Sequence, residues 1–313
     1  MLRNENKMKI TAKQWWLIFK DTGGKFLQDK PFVYSSSIAY FAIFSLPAIA
    51  LITVMIAGSF YENATVKNSM LTQISRMAGT NSAQEVERLM NKITRNTENI
   101  QTKVISIATL IFSATSVFVI LQESINSIWG IKPKTEGGLV RFLVNRLLSL
   151  AMIASMGFLV LVSLVTDTLI AMLKVFINQY FTGLAYYFLW LANTLISGAL
   201  IATVFALIYM VLPDAKIKWS HAWIGAFITT ILFIFGKYLI GFYLKTSNFT
   251  ESYGAAGSLV ALLAWVYYSV LILLFGAEFT YSYTRHVDGI IQPPGQAVAV
   301  KVEEIEQEET SAN

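Results

Sequence analysis

Glu278 is the single charged residue in an apolar run from about Gly254 to Thr284. A carboxylate is costly in hydrocarbon, so a chain that keeps one there turns it toward a bundle interior or a wet cavity, where it can take up protons or ions. Glu123, Arg146, Asp167 and Lys237 lie in comparably apolar surroundings, and Asn193 adds a polar group to a further run. Glu123, Arg146 and Glu278 are expected at one depth, and Asp167 and Lys237 at another, with Asn193 between them. Two charge clusters at separate levels are what a gated pathway needs; the alternative is two structural ion pairs that let the helices pack. Arg146 is the expected partner of Glu278, because opposite charges offset burial while two carboxylates repel.

Other chemistries lack their residues. The chain has no cysteine, hence no disulfide or thiolate nucleophile, and two histidines, His221 and His286, are too few for a His-rich metal cluster. It contains no GxSxG elbow, HExxH pair, P-loop or dinucleotide fingerprint. No enzyme, cofactor or metal site is therefore expected. The net charge of +5 is read through where the basic residues lie, not as a nucleic-acid signal.

The elements that must position these groups are membrane helices. Of 313 residues, 55% are hydrophobic and 14% charged, against roughly 25% charged in soluble domains. At 1.5 Å per residue, runs of about 20 residues cross a bilayer. Such runs occupy about 33–58, 104–128, 143–164, 184–212, 221–243 and 250–286. The expected fold is all-α and polytopic, with six transmembrane helices across 33–286. A division into a 3+3 inverted repeat would match Glu123 to Lys237 and Asp167 to Glu278. Pro47 favours a kink in the first span, and Tyr253, Gly254 and Gly257 form a hinge-like, closely packing turn before the last.

Residues 1–32 form a basic segment in which Trp15, Ile18, Phe19 and Phe26 recur at near-helical spacing. This predicts a helix in the headgroup layer, or one packed on the bundle. Residues 61–102 form a helical insert, with Ser82 and Glu85 spaced as a capping box. It caps the bundle or recruits a protein partner. Residues 287–313 are expected to be a disordered acidic tail. The short loops after the second and fourth spans carry Lys132, Lys134, Arg141, Lys216 and Lys218, against Lys174 and Lys245 on the other face. The positive-inside bias puts both termini in the cytoplasm and the insert in the periplasm.

Several motifs carry a resemblance. Ser252-Tyr253-Gly254-Ala255-Ala256-Gly257-Ser258, Trp265-Val266-Tyr267-Tyr268-Ser269 and Phe275-Gly276-Ala277-Glu278-Phe279 resemble the carboxy-terminal signature of the YihY/BrkB family of bacterial inner-membrane proteins. Ser37 to Phe41, Leu46-Pro47, Asn126 to Gly130, Leu212-Pro213-Asp214 and Gly236-Lys237 follow in that family's order, over about residues 13–286. The resemblance implies a protein of envelope integrity and, in some members, lipid or lipopolysaccharide traffic. The family's older label, ribonuclease BN, conflicts with the absence of metal-binding histidine motifs. The expectation is an inner-membrane transporter or lipid-handling protein whose partners are membrane lipids, a lipid or small-molecule substrate and, through 61–102, a periplasmic protein. A non-transporting scaffold is the alternative, and a ribonuclease the weakest reading.

The topology is directly testable in a chain without native cysteine. A single cysteine at Gln84, beside Glu85 in the insert, should label from outside intact cells, and one at Lys216 only after permeabilisation. Labelling in the reverse order would invert every depth assignment above.

Overall fold

The computed structural model describes residues 11–57, 62–94, 100–133, 143–144, 146–155, 158–159, 162, 184–246, 256–289 and 297–299. Helices α1 (Ala12–Gln28), α2 (Pro31–Ala57), α3 (Asn63–Ala78), α4 (Thr80–Thr94) and α5 (Ile100–Ile128) come first, followed by strand β1 (Ile131–Pro133). A short apolar helix, α6 (Arg146–Ser155), precedes α7 (Leu184–Val211), α8 (Trp219–Thr246), α9 (Gly257–Asp288) and strand β2 (Ala297–Ala299).

Among the described residues, five helices are long and apolar enough to cross a membrane: Pro31–Met55 in α2, Ile111–Ile128 in α5, Thr194–Val211 in α7, Trp219–Tyr243 in α8, and α9. The run expected at 143–164 is represented by α6, and its remainder lies largely outside the described residues. α2 continues unbroken through Pro47. Phe227, Ile231, Phe235, Tyr238 and Phe242 recur every three or four residues along α8 and are all at least half exposed. An apolar stripe of that length is an outer surface suited to lipid.

α9 is the hub, touching α1, α2, α4, α5, α7 and α8. Its contact with α8 is built from small residues. A Cβ on Gly276 would collide with Thr229 Oγ1 and the Tyr209 hydroxyl, and a Cβ on Gly225 would collide with Thr280 Oγ1. Each helix thus carries a glycine four residues before a threonine, and the two helices run antiparallel so that glycine meets threonine twice. The threonines bond back to their own helices, Thr229 Oγ1 to the Gly225 carbonyl and Thr280 Oγ1 to the Gly276 carbonyl, each at 2.7 Å. Tyr209 of α7 closes the group, donating to the Leu273 carbonyl at 2.8 Å and lying 2.9 Å from Thr229 Oγ1. Where lipid tails match apolar side chains, close approach and interhelical hydrogen bonds hold helices together.

The insert forms a helix pair, α3 and α4, docked on α2 and α9. Val66, Met70, Val86 and Met90 are buried in it. Glu85 bonds Ser258 at the start of α9 (3.2 Å) and Arg88 (2.6 Å), while Lys67 meets Glu87 at 2.8 Å. The capping box expected at Ser82 does not form. Gly79, at φ +86°, ends α3 and lets α4 begin at Thr80, which leaves Ser82 inside the helix with its Oγ buried and unpartnered. A second correction concerns the tail: residues 297–299 form β2, antiparallel to β1 with Ile131 opposite Ala299 and Pro133 opposite Ala297.

The glycine–threonine contact predicts that Gly276→Ala lowers the unfolding temperature in detergent, through overpacking on the order of 1–3 kcal/mol. Gly198→Ala is the control, because a Cβ there meets nothing within 4 Å and alanine favours the helix. Equal behaviour of the two variants would mean that α8 and α9 do not approach through Gly276.

Candidate functional site: the carboxyl pair between α1 and α9

α1 is short because Pro31 follows it closely; Lys30 takes a positive φ of 52° and α2 starts in a new direction. Its start is fixed by Thr11, whose backbone N–H donates to Gln14 Oε1 at 2.8 Å. One face of α1 lies on the last turns of α9. The Trp15 ring centre is 6.2 Å from that of Phe279 and 5.8 Å from that of Tyr283, and Ile18 and Thr22 are fully buried. Phe26 meets Phe275 edge-on at 5.3 Å, and Lys25 Nζ stands 4.8 Å over the Tyr281 ring. The opposite face shows Trp16, Leu17 and Leu27, with Lys13 and Lys20 exposed between them. Packing on the bundle and an apolar outer face with lysines thus coexist in one helix.

Beneath α1 lies Glu278, with no exposed surface. Ser282 Oγ is 3.4 Å from its Oε1, and among the described residues no donor reaches Oε2. Facing it within hydrogen-bonding reach is the carboxyl of Asp29, the residue that caps α1, with the Lys25 ammonium acting on both acids. Carboxylates offer only lone pairs, so this contact becomes a hydrogen bond when one of the acids keeps its proton. Burial pushes the Asp29 carboxyl above its ordinary value; its hydrogen bond with Glu278 and the Lys25 charge pull the other way and do not cancel the effect.

The surroundings are tightly fastened. Trp129, at the end of α5, donates its buried Nε1–H to the carbonyl of Ala277 at 3.0 Å. Asn126 donates to Asp214 Oδ2 at 3.0 Å and accepts from the Asp214 backbone N–H at 2.8 Å, joining α5 to the loop between α7 and α8. Lys218 Nζ lies 2.9 Å and His221 Nδ1 3.5 Å from Asp288, and His286 Nε2 lies 3.4 Å from Asp21.

Of the charges singled out in the sequence, Glu123, Arg146 and Glu278 do not form the expected cluster, and the one expected of Asp167 with Lys237 lies outside the described residues. Arg146 is not among the partners of Glu278. Its Nη1 donates to the Phe112 carbonyl (3.1 Å), Thr115 Oγ1 and Ser116 Oγ (3.4 Å), and its guanidinium lies 4.3 Å from the Phe112 ring centre. Trp129, which marks the level of Glu278 on α5, is 13 residues beyond Ser116, or about 20 Å along a helix. Hydropathy gives the order of spans but not the depth at which each begins. Glu123 is exposed on α5, and Lys237 is half-buried on α8 with Nζ 5.9 Å from the Tyr238 ring centre. Asn193 is in α7, but its side chain, like Asp167, Tyr253 and Gly254, lies outside the described residues; Gly257 opens α9 and is buried. Lys25 and Asp29 were missed as site residues. Their four-residue spacing puts them on one helical face, but the segment was read only for its lysines and aromatics.

A helical bundle with an outward apolar surface, a core closed by hydrogen bonds and an acid buried in a spanning helix defines an integral membrane protein. More narrowly, the chain belongs to the family described as Virulence factor BrkB, which it matches over residues 22–299. Among curated relatives, a "UPF0761 membrane protein" of Alteromonas mediterranea is 29% identical over 82% of this chain and 83% of its own length. A "UPF0761 membrane protein" of Aeromonas salmonicida is 28% identical over 82% and 85%. One from Xanthomonas campestris is 26% identical over 87% of this chain and 62% of its own length. No solved structure matches.

The family match takes in Lys25 and Asp29 and ends on β2, past the last spanning helix. A chain stopped after Val300 should therefore melt like the full protein. One stopped after Gln292 loses the ladder and should melt several degrees lower, given about 0.5–1.5 kcal/mol per net hydrogen bond. Identical melting of both truncations would make β2 dispensable.

Proposed function

We propose that this protein is a six-span transporter or lipid-handling protein of the bacterial inner membrane, with both termini in the cytoplasm, and that Glu278 belongs to its working site. The observation that carries this reading is the full burial of Glu278 in a spanning helix, opposite a second acid supplied by a helix at the edge of the bundle. A group in that setting costs stability, and a buried acid inside a span is on that ground read as part of a working site. The sixth span in this reading contains α6. A flippase-like action suits α1, whose outer face of Trp16, Leu17 and Leu27 between lysines is built for a headgroup layer. No catalytic step, metal, cofactor or nucleic acid enters the reading. The inverted repeat stays outside this reading, because Asp167, the counterpart it gives Glu278, lies outside the described residues. The competing scaffold reading gives the insert to an envelope partner. It is weakened by Val66, Met70, Val86 and Met90 being used within the docked insert.

Glu278→Gln tests the reading, because the amide keeps the shape and can donate to Asp29. The variant should insert and melt within a few degrees of wild type, yet fail to complement a deletion strain. Reconstituted in phosphatidylethanolamine–phosphatidylglycerol vesicles, wild type should speed exposure of an inner-leaflet NBD-phospholipid to dithionite, and the variant should not. Full complementation by a stable Glu278→Gln protein would remove Glu278 from the working site.

A further inference from the structure

We propose that Asp29 and Glu278 share one exchangeable proton that latches α1 onto α9, and that loss of this proton releases the end of α1. The inference rests on the reading of Glu278 as a working residue and names the ion that site would answer to. It stands first on placement. Glu278 is fully buried, no donor among the described residues reaches its Oε2, and the group facing its carboxyl is another carboxyl. Two acids in that position attract only while a proton lies between them; with none, two negative charges oppose each other in a medium that screens them poorly. Among the described residues the cation acting on the pair is Lys25, which stands over the Tyr281 ring and balances one charge. The raised titration of Asp29 under burial agrees with a proton held in the docked state.

The second support is mechanical. Asp29 caps α1 immediately before the turn into α2, so the pair sits where α1 could hinge. Apart from the Asp21–His286 pair and Lys25 over Tyr281, the described part of the α1–α9 seam is aromatic and aliphatic contact, with Ile18 and Thr22 of α1 buried in it. Among the described residues, the titratable groups acting on the pair all come from α1 and α9. α8 brings His221, which faces Tyr283 and Asp288, and His286 of α9 faces Asp21. α5 brings the Trp129 indole, and Tyr34 of α2 bonds Ser127 at 2.8 Å. The sign follows from proton binding. The docked state holds a proton that the released state gives up, so docking is strongest at low pH and is lost as pH rises through the titration of the pair.

The full-length protein, reconstituted in the same vesicles, can be read in two ways without any transport assay. A cysteine at Thr22, on the buried face of α1, reports release through its maleimide labelling. A cysteine at the exposed Leu27 corrects for the thiol's own pH dependence. Corrected labelling at Thr22 should rise about tenfold per pH unit below the midpoint, the response of an opening that waits on one proton. Infrared difference spectra should show a protonated carboxylic-acid carbonyl band that vanishes over the same range. In Asp29→Asn and Glu278→Gln the amide donates without needing a proton. Labelling at Thr22 should then stay low at all pH values, and the titrating band should be absent. Both histidines remain in these variants, so a pH response that survives in them assigns the effect to His221 or His286 and overturns the proposal. So does labelling in the wild type that does not change with pH. Failure of Glu278→Gln to disturb lipid exposure would sink the transport reading while leaving these two measurements free to stand.

Discussion

A carboxyl group deep in a membrane bundle must be given a proton, a counter-charge or water, and most of this structure can be understood from how Glu278 is provided for. Its oxygens face Ser282 on their own helix and Asp29 on α1, so the helix that covers it also supplies its partner. α1 consequently serves as more than a lid of apolar side chains. It brings an acid and a lysine from the polar edge of the bundle to a position that α9 could not furnish by itself. α9 in turn can hold the group because it is fixed on its other sides. Trp129 bonds the carbonyl of the preceding residue, and the Gly276 contact locks the turn before it.

That fixation comes from close approach more than from hydrophobic sorting. Side chains at the exterior of α8 are as apolar as those inside, so the difference between the two faces lies in shape and hydrogen bonding. The inner face of α8 carries Gly225 and Thr229, and the facing stripe of α9 carries Gly276 and Thr280. Tyr209 fits only because Gly276 leaves room for its hydroxyl, and that hydroxyl satisfies a carbonyl of the third helix. At the end of the bundle where α9 finishes, the fastening changes character. There Asn126–Asp214 and Lys218–Asp288 join loops and helix ends, where polar groups are affordable because water is near.

Five of the expected spans were legible because each is a long apolar run, and α2, α7 and α8 lie within a few residues of where hydropathy put them. The burial of Glu278 was also legible, since one charge in such a run has few places to point. Its partner was not. Pairing Glu278 with Arg146 assumed that equal distance from a span end means equal depth, whereas Arg146 is held against Phe112, Thr115 and Ser116, far along α5. Asp29 became a partner only through the tertiary docking of α1, for which no local pattern exists. Ser82 failed as a cap because the positive φ of Gly79 let the next helix start earlier. β2 is three residues, Ala-Val-Ala, too short to show the alternation by which strands are recognised.

The β1–β2 ladder has a consequence for how the molecule is made. Its two strands are about 170 residues apart in the chain, so β1 is synthesised early and stays an open edge while the remaining helices are inserted. β2 leaves the ribosome only after the last spanning helix. Closing such a long loop carries an entropic cost that grows slowly with length, and a three-residue ladder could not meet it alone. It can form once α5 and α9 already stand side by side, with Trp129 against Ala277. Pairing of the strands thus comes late in assembly and reports that the helices between them have found their places.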